Sequence, residues 1–226
     1  MEKSKPIVEL ELYLVRHGQS MGNAGYDKDN LTTKEQNDPF LAEKGHMQAD
    51  LVGQSLCDID FEHIYSSGLI RAISTANGIL THQKISKPVY ILPVLSEVGI
   101  SPEYDGITVE EMKEYCKTAV LADGVEETDP RVYHSTFENE AEIFDRAKAV
   151  MEHMHSRYSS GEKVAIVAHA AFLTILIFTI MGFEEAPVFD ISIQNTAVTK
   201  VVFYKHGTNP YGDISFEYIN DTSHLK

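Results

Sequence analysis

Basic residues and cysteines are scarce in this chain of 226 residues, and tryptophan is absent. The 19 Lys and Arg residues stand against 34 Asp and Glu, which leaves a formal charge of 19 − 34 = −15. Nucleic acid and anionic membranes are therefore poor partners, because both need a basic surface, and no Lys/Arg cluster supplies one. Cys57 and Cys116 form no CxxC or Cys-His metal pattern, so we expect unpaired thiols in a reducing cytoplasm.

Long hydrophobic runs are also few, and only residues 164–183 approach the length of a membrane span. The run divides into a β-branched part, 164–167, and a part rich in Ala and Leu, 170–181, that ends at Gly182. We interpret it as a buried strand, a turn at His169 and a buried helix. Near the start of the chain, Glu9 and Glu11 interrupt the apolar residues, so we expect no signal peptide.

Strands alternate with helices along the whole chain. The hydrophobic periodicity predicts strands at 9–16, 63–66, 88–93, 164–167, 197–204 and 213–219, and helices at 43–57, 68–82, 106–121 and 170–181. A further helix is predicted from Ser135, which forms a potential capping box with Glu138, to Gly161. Residues 26–40 and 122–134 are polar and predict loops.

This order of elements predicts an α/β fold, a three-layer α/β/α sandwich with a largely parallel sheet. Two final strands without a helix between them predict an antiparallel strand at one edge of the sheet. No composition shift marks a linker, so we expect residues 1–226 to form a single domain.

Charged side chains follow four of the predicted strands, at the sheet edge where open α/β sheets bind ligands. They are Arg16 and His17 after the first strand, Arg71 in the helix after the second, Glu97 after the third and His169 after the fourth. Taken singly, each of these residues is explained without catalysis, as a solvated surface residue or as a hydrogen-bonded one. Together they are the groups that a phosphate monoester requires: guanidiniums for the dianion, an imidazole nucleophile and a carboxyl proton donor.

The same residues lie in sequence blocks that resemble the histidine phosphatase superfamily, the phosphoglycerate-mutase-like proteins. LVRHGQSMGN (14–23) resembles the Arg-His-Gly signature, and LAEKGHMQADLVGQSL (41–56), YSSGLIRAISTA (65–76), LSEVG (95–99), VAHAAF (167–172) and NDTSHL (220–225) follow in the order of the family. The tripeptide alone is a weak signal, whereas six ordered blocks over nearly the whole chain are a strong one.

The resemblance implies that His17 is the nucleophile that becomes phosphorylated, and that Glu97 is the general acid and later the general base. It also implies that Arg16, Arg71 and His169 hold the phosphoryl oxygens, with Asn23 assisting. It implies no metal and no cofactor, because arginines supply the charge neutralisation.

Two departures from the family pattern concern the pocket. In the mutases an Asn-Glu-Arg-x-Tyr-Gly run surrounds the acid, whereas here Val98 and Gly99 follow Glu97, which lowers the expectation of mutase activity. GITVEEM (106–112) instead resembles the phosphatase branch. Many members have Ser-His-Gly where this chain has an alanine, Ala170, after His169.

The sequence therefore predicts a metal-independent phosphomonoester hydrolase of the cytoplasm that acts through phosphohistidine on a small phosphorylated metabolite. The alternatives are a phosphoglycerate-mutase-type phosphoryl transfer and a catalytically idle protein that binds phosphorylated ligands. A lid-like insertion around 100–134 is expected to cover the pocket mouth. Its Tyr104, Arg131, Tyr133 and His134 are candidates for selecting the leaving group, with an ordinary loop role as the simpler interpretation.

Overall fold

The computed structural model describes residues 5–25, 32–126 and 138–226. Seven strands form one sheet in the order β4-β3-β2-β5-β1-β6-β7. They are β1 (Val8–Arg16), β2 (His63–Ser66), β3 (Val89–Ile91), β4 (Ala119–Leu121), β5 (Glu162–Ala168), β6 (Val198–Tyr204) and β7 (Ile214–Asp221). The strands β1 to β5 pair in parallel, whereas β6 and β7 are antiparallel to their neighbours.

Six α-helices accompany the sheet in the described part of the chain. They are α1 (Thr33–Asn37), α2 (Glu43–Ser55), α3 (Ile70–Thr81), α4 (Val109–Tyr115), α5 (Glu140–Arg157) and α6 (Ala170–Ile180). Short 3-10 turns lie at Pro93–Leu95 and Ser223–Leu225.

Alternation along the central strand explains why the helices form two layers. Leu10, Leu12 and Leu14 of β1 face one core, to which α5 and α6 contribute, and Tyr13 and Val15 face a second core shared with α2, α3 and α4. Successive side chains of a strand point to opposite faces, so the run 12–15, which is apolar at every position, needs cover on both faces of the sheet. The predicted three-layer α/β/α fold, with its largely parallel sheet and antiparallel edge, is confirmed.

The prediction of one helix over 106–121 is wrong. The N-cap of helix α4 is Thr108, which forms a capping box with Glu111, and the helix ends at Tyr115. Cys116 is extended, and β4 then pairs in parallel with β3. A strand of three residues carries too little alternation to be distinguished from the end of a helix.

Two other boundaries also differ from the prediction. Helix α5 takes Asn139 as its N-cap, in a capping box with Glu142, whereas the predicted cap Ser135 lies outside the described residues. Glu138 instead forms an ion pair with Arg146, with 2.8 Å between Oε1 and Nε. Residues 26–40, predicted as a loop, contain α1.

The apolar run divides as expected into β5, a turn at His169 and α6. None of the helices in the described ranges combines the length and the apolar character that crossing a membrane would require.

Candidate active site

The register of β1 against β5 brings the two predicted site histidines together. Arg16 pairs with Ala168 at the last position of both strands, and the backbone N–H of His17 donates to the carbonyl of Ala168 over 3.0 Å. The next residue of each strand end is therefore a histidine. The ring centroids of His17 and His169 lie 5.1 Å apart.

The His17 imidazole is held in one tautomer. Its Nδ1 lies 2.7 Å from the carbonyl oxygen of Gly18, which can only accept, so Nδ1 carries the proton and Nε2 keeps its lone pair. Burial, reinforced by the guanidiniums of Arg71 and Arg16, lowers the pKa of His17 well below its ordinary value. The ring is therefore neutral at physiological pH, the form in which Nε2 is a nucleophile.

Close packing beneath this loop requires glycine at position 18. A Cβ there would lie 2.5 Å from the carbonyl oxygen of Gly45 in α2. The Gly18 N–H donates to Oγ1 of Thr75 in α3 over 3.0 Å. The loop after β1 is thus seated directly on the two helices.

Arg71, in the first turn of α3, is buried and oriented by Asp38. Its Nη1 lies 3.3 Å from Oδ1 of Asp38 and donates to the carbonyl of Asn37 over 3.2 Å. Asp38 is fully buried and also accepts from the N–H of Ile70 and from the hydroxyl of Tyr104, each at 2.9 Å. Burial raises the pKa of Asp38, opposed by Arg71. These partners are all donors, so they match an ionised carboxylate.

Arg16 ends β1 and is anchored at one nitrogen. Its Nη1 donates to the carbonyl of Ile193 over 2.7 Å, and its buried Nε has no partner among the described residues. A buried donor without a partner is costly, and an oxygen of a bound anion would satisfy it.

His169 lies beside His17 and is not among the residues that line the polar cavity described below. It is fully buried, and its Nε2 lies 2.7 Å from Oγ of Ser67. Its Nδ1 is buried and has no partner in the described part of the chain. Burial, together with Arg71 and the adjacent His17, lowers the pKa of His169 well below its ordinary value.

Glu97 follows the 3-10 turn Pro93–Leu95 and reaches the beginning of α6. Its carboxylate accepts from the N–H of Val98 at 3.0 Å, of Phe172 at 3.1 Å and of Ala171 at 3.4 Å. These hydrogen bonds orient the side chain at the same end of the sheet as His17.

Asn23 is exposed, in the loop after the histidine. Its Oδ1 accepts from Oγ of Ser20 at 3.1 Å and from Nδ2 of Asn195 at 3.4 Å. Because the oxygen is engaged, the amide nitrogen is the atom that Asn23 can offer to a ligand.

These side chains surround a polar cavity of about 230 Å³. Its lining consists of Arg16, His17, Ser20, Gly22, Asn23, Gln36, Asn37, Pro39, Arg71 and Glu97. Five predicted site residues thus line one cavity, and the sixth, His169, is buried beside His17. The cavity offers two guanidiniums, a neutral imidazole and a carboxyl group, a set that fits a phosphoryl group.

Several supporting residues were not found from the sequence. Asp38 and Ser67 orient Arg71 and His169, and Asn195 donates to the carbonyl of His17 over 3.0 Å. Thr196 has a left-handed backbone with φ of 54°, and its N–H donates to the carbonyl of Arg16 over 3.0 Å. Only Ser67 carried a usable signal, since it lies in the same sequence block as Arg71.

The lid candidates divide into one described residue and three others. Tyr104 is buried, and its hydroxyl donates to Asp38, the carboxylate that contacts Arg71. Arg131, Tyr133 and His134 lie outside the described residues. Within the described ranges, no group of three or more His, Cys, Asp or Glu residues is arranged to hold a metal ion.

Fold and cavity together describe a three-layer α/β protein with a histidine in a polar cavity beside two arginines. The profile of the histidine phosphatase superfamily (branch 1) matches residues 12–210, and the chain belongs to this family. The predicted class of enzyme, a histidine phosphatase, is thus confirmed at the level of the family.

Individual relatives carry different names. The chain is 41% identical over 81 residues to fructose-2,6-bisphosphatase TIGAR of Xenopus tropicalis, a match that covers 36% of this chain and 28% of that protein. It is 29% identical over 223 residues to the probable phosphoglycerate mutase GpmB of Erwinia tasmaniensis, which covers 96% of this chain and 95% of that one.

The structure of phosphoserine phosphatase from Entamoeba histolytica in complex with 3-phosphoglyceric acid superposes with a TM-score of 0.63 at 23% identity. That match covers 96% of this chain and all of the other and shows a shared fold.

Proposed function

We propose that this protein hydrolyses phosphate monoesters through a covalent phosphohistidine at His17. The observation that carries the proposal is the hydrogen bond that holds the proton on Nδ1 of His17 and leaves the lone pair on Nε2, in a residue that lines one cavity with Arg16 and Arg71. A nucleophile with a lone pair, in the same cavity as two guanidiniums, is what attack on a phosphate dianion requires.

In the first step Nε2 of His17 attacks phosphorus while the bond to the ester oxygen breaks. Arg16 and Arg71 bind the non-bridging oxygens, and Nδ1 of His169 is the further group proposed to contact them. Glu97 donates a proton to the departing oxygen, so the alcohol leaves neutral. Asn23 assists through its amide nitrogen.

In the second step water attacks the phosphohistidine. Glu97, now a carboxylate, accepts a proton from that water, the bond between phosphorus and Nε2 breaks, and inorganic phosphate leaves. His17 returns to its neutral form and Glu97 to its protonated form, so the cycle balances. The guanidiniums provide the positive charge throughout, and the proposed steps use no metal or cofactor.

Residues 100–134 are proposed as a lid-like insertion of a single domain that spans 1–226. The described part of the segment is tied to the site, because the N–H of Ser101 donates to Oδ1 of Asn37 over 3.2 Å. Ile100 and Tyr104 also pack with Leu69 in a small apolar cluster. We place the activity in the cytoplasm, in keeping with the free thiols of Cys57 and Cys116.

A mutase is the second candidate, because the similarity to the probable mutase GpmB extends over nearly the whole chain. Val98 and Gly99 stand against it, since neither can bind a second anionic group of the substrate. The test is to measure phosphoglycerate isomerisation beside phosphate release. Release without isomerisation supports hydrolysis, and the reverse result supports the mutase.

Turnover of p-nitrophenyl phosphate in excess EDTA tests the proposal directly. We expect hydrolysis by the unaltered protein and a loss of at least about a thousandfold in kcat for His17→Ala. His46→Ala removes an exposed histidine of α2 and serves as the matched control. Acid-labile phosphate should be trapped on the unaltered protein and on the control, but not on His17→Ala.

Two results would contradict the proposal. Full turnover by His17→Ala would show that His17 is not the nucleophile. Complete loss of turnover in EDTA would show that the reaction needs a metal. Binding of phosphate monoesters without turnover would favour the idle phospho-ligand protein.

A further inference from the structure

A second, larger cavity adjoins the polar one. It has a volume of about 720 Å³ and lies between one face of α6 and the segment 186–193. Arg16 lines both cavities, and Val98, the neighbour of Glu97, lines the larger one. We call it the apolar groove. An ester whose phosphoryl group lies beside Arg16 can therefore extend its organic group into this groove.

The surface of the groove is dominated by apolar side chains. Ala171 and Ile175 present it from α6, and Val188 and Phe189 from the facing segment. The rings of Phe178 and Phe189 meet edge to face, with 5.6 Å between centroids. Among the groove residues, Arg16 and the exposed Asp190 carry charge.

Hydrogen bonds fix the groove walls relative to the phosphoryl site. The hydroxyl of Thr174 in α6 donates to the carbonyl of Ile191 over 3.0 Å. Nη1 of Arg16 donates to the carbonyl of Ile193 over 2.7 Å. The N–H of Ala186 donates to Oε1 of Glu140 in α5 over 2.5 Å. A preformed apolar wall binds an apolar group without paying to order a loop first.

The two departures from the family pattern lie on this groove. Val98 stands where the mutases carry polar groups after the acid, and Ala170 stands where many members have glycine. Both side chains line the groove and add apolar surface to it. Val188 is also fully exposed and Phe189 is half exposed at the groove mouth, where both offer apolar surface to a ligand.

We infer that the preferred substrates are phosphate monoesters of apolar alcohols or phenols, whose organic group fills the apolar groove. This inference rests on the proposed function. Sugar bisphosphates and other polyanions are poor substrates, because the groove has no cation beyond Arg16 among its described residues to receive a second anion.

A series of straight-chain alkyl phosphates tests the inference. Ethyl, butyl and hexyl phosphate have leaving alcohols of similar acidity, so differences in kcat/KM report binding of the chain. Each methylene that enters the groove should raise kcat/KM by about two- to fourfold. A series of polar esters of equal length, such as hydroxylated alkyl phosphates, should not show the rise.

Variants at the groove mouth locate the effect. We expect Val188→Asn with Phe189→Asn to lower the ratio of hexyl to ethyl phosphate kcat/KM by at least about fivefold. Both substitutions are neutral, so they add no repulsion toward the phosphate. Ile85→Asn, which alters an exposed isoleucine outside the groove, is the matched control and should keep the unaltered ratio.

The outcomes separate this inference from the proposed function. Hydrolysis of ethyl phosphate that depends on His17, without any gain from chain length, overturns the substrate class and leaves the hydrolase intact. A gain that is undiminished in the double variant overturns the groove as its origin. If no member of the series is hydrolysed, and p-nitrophenyl phosphate is not hydrolysed either, the proposed function fails and the inference fails with it.

Discussion

Asp38 has no place on the cavity surface, yet it determines how the site is built. One carboxylate joins the N-terminus of α3, the hydroxyl of Tyr104 and the guanidinium of Arg71. A positive side chain that is nearly inaccessible to water needs such a partner, because an unpaired buried charge is strongly destabilising. The position of Arg71 therefore depends on a residue of a different loop.

Asp38→Asn tests this dependence. The amide keeps the shape but offers one acceptor oxygen in place of two and removes the counter-charge that contacts Arg71. We expect a loss of about 3–5 kcal/mol in the free energy of unfolding, measured by urea denaturation, and a raised KM in the folded protein. Tyr104→Phe removes one hydrogen bond to the same carboxylate and should cost about 1–2 kcal/mol. Equal stability of the two variants would show that the charge of Asp38 has no special role.

Whether a site residue could be predicted from the sequence depended on its position relative to the sheet. Arg16 ends a strand, and His17, Glu97 and His169 each follow one. The carboxyl ends of parallel strands meet at one edge of a sheet, so the proximity of these residues was predictable. Asp38 lies in a polar loop, and nothing local distinguishes it from an exposed acid. Its burial arises from long-range packing, which a single sequence does not encode in a readable pattern.

At the scale of elements, glycine pairs set how closely α2 approaches its neighbours. Gly45 faces the loop after β1, where a Cβ would lie 2.1 Å from the carbonyl oxygen of Gln19. Gly53, two turns later, faces α3, where a Cβ would lie 2.3 Å from the carbonyl oxygen of Gly78. The first contact supports the loop that carries His17, and the second only joins two helices.

Gly45→Ala and Gly53→Ala form a matched pair on one helix. Alanine alone would favour the helix by about 1 kcal/mol, but the clash with backbone should produce a net loss of about 1–3 kcal/mol in both variants. Only Gly45→Ala should also lower kcat/KM per folded molecule, by about tenfold or more, because the loop beside His17 must move. Thermal unfolding and kinetics measure the two effects. Wild-type kcat/KM in Gly45→Ala would contradict the assignment.

Elements were predictable in proportion to their length and periodicity. The predicted strand 63–66 coincides with β2, and the helix predicted over 170–181 extends one residue beyond α6. By contrast, β4 has three residues and is recognised only by its pairing with β3. Because the pairing partner is remote in sequence, the strand was assigned to the preceding helix.

At the scale of the whole molecule, the buried histidines make the folded state less stable at acidic pH. Burial lowers the pKa of six described histidines: His17, His63, His153, His155, His169 and His224. Near pH 6 the unfolded chain therefore binds protons that the folded chain does not, so the free energy of unfolding rises with pH. The exposed His206, whose pKa the Asp213 carboxylate raises, acts in the opposite direction but is one group against six.

The resulting prediction concerns stability between pH 7.5 and pH 5.5, a window in which most carboxylates stay ionised. A histidine that titrates near 6.5 in the unfolded chain and far lower in the folded one lowers the free energy of unfolding by about 1.4 kcal/mol as the pH falls across this window. His17 and His169, which have the largest displacements, should together account for about 3 kcal/mol. Urea denaturation at the two pH values measures the difference in the free energy of unfolding. His169→Gln should reduce this difference by about half of the roughly 3 kcal/mol attributed to the two histidines. His46→Gln, at an exposed position, is the control. A free energy of unfolding that is constant or higher at pH 5.5 would mean that the fold accommodates charged imidazoles. The neutral form of His17, on which nucleophilic attack depends, would then have no support.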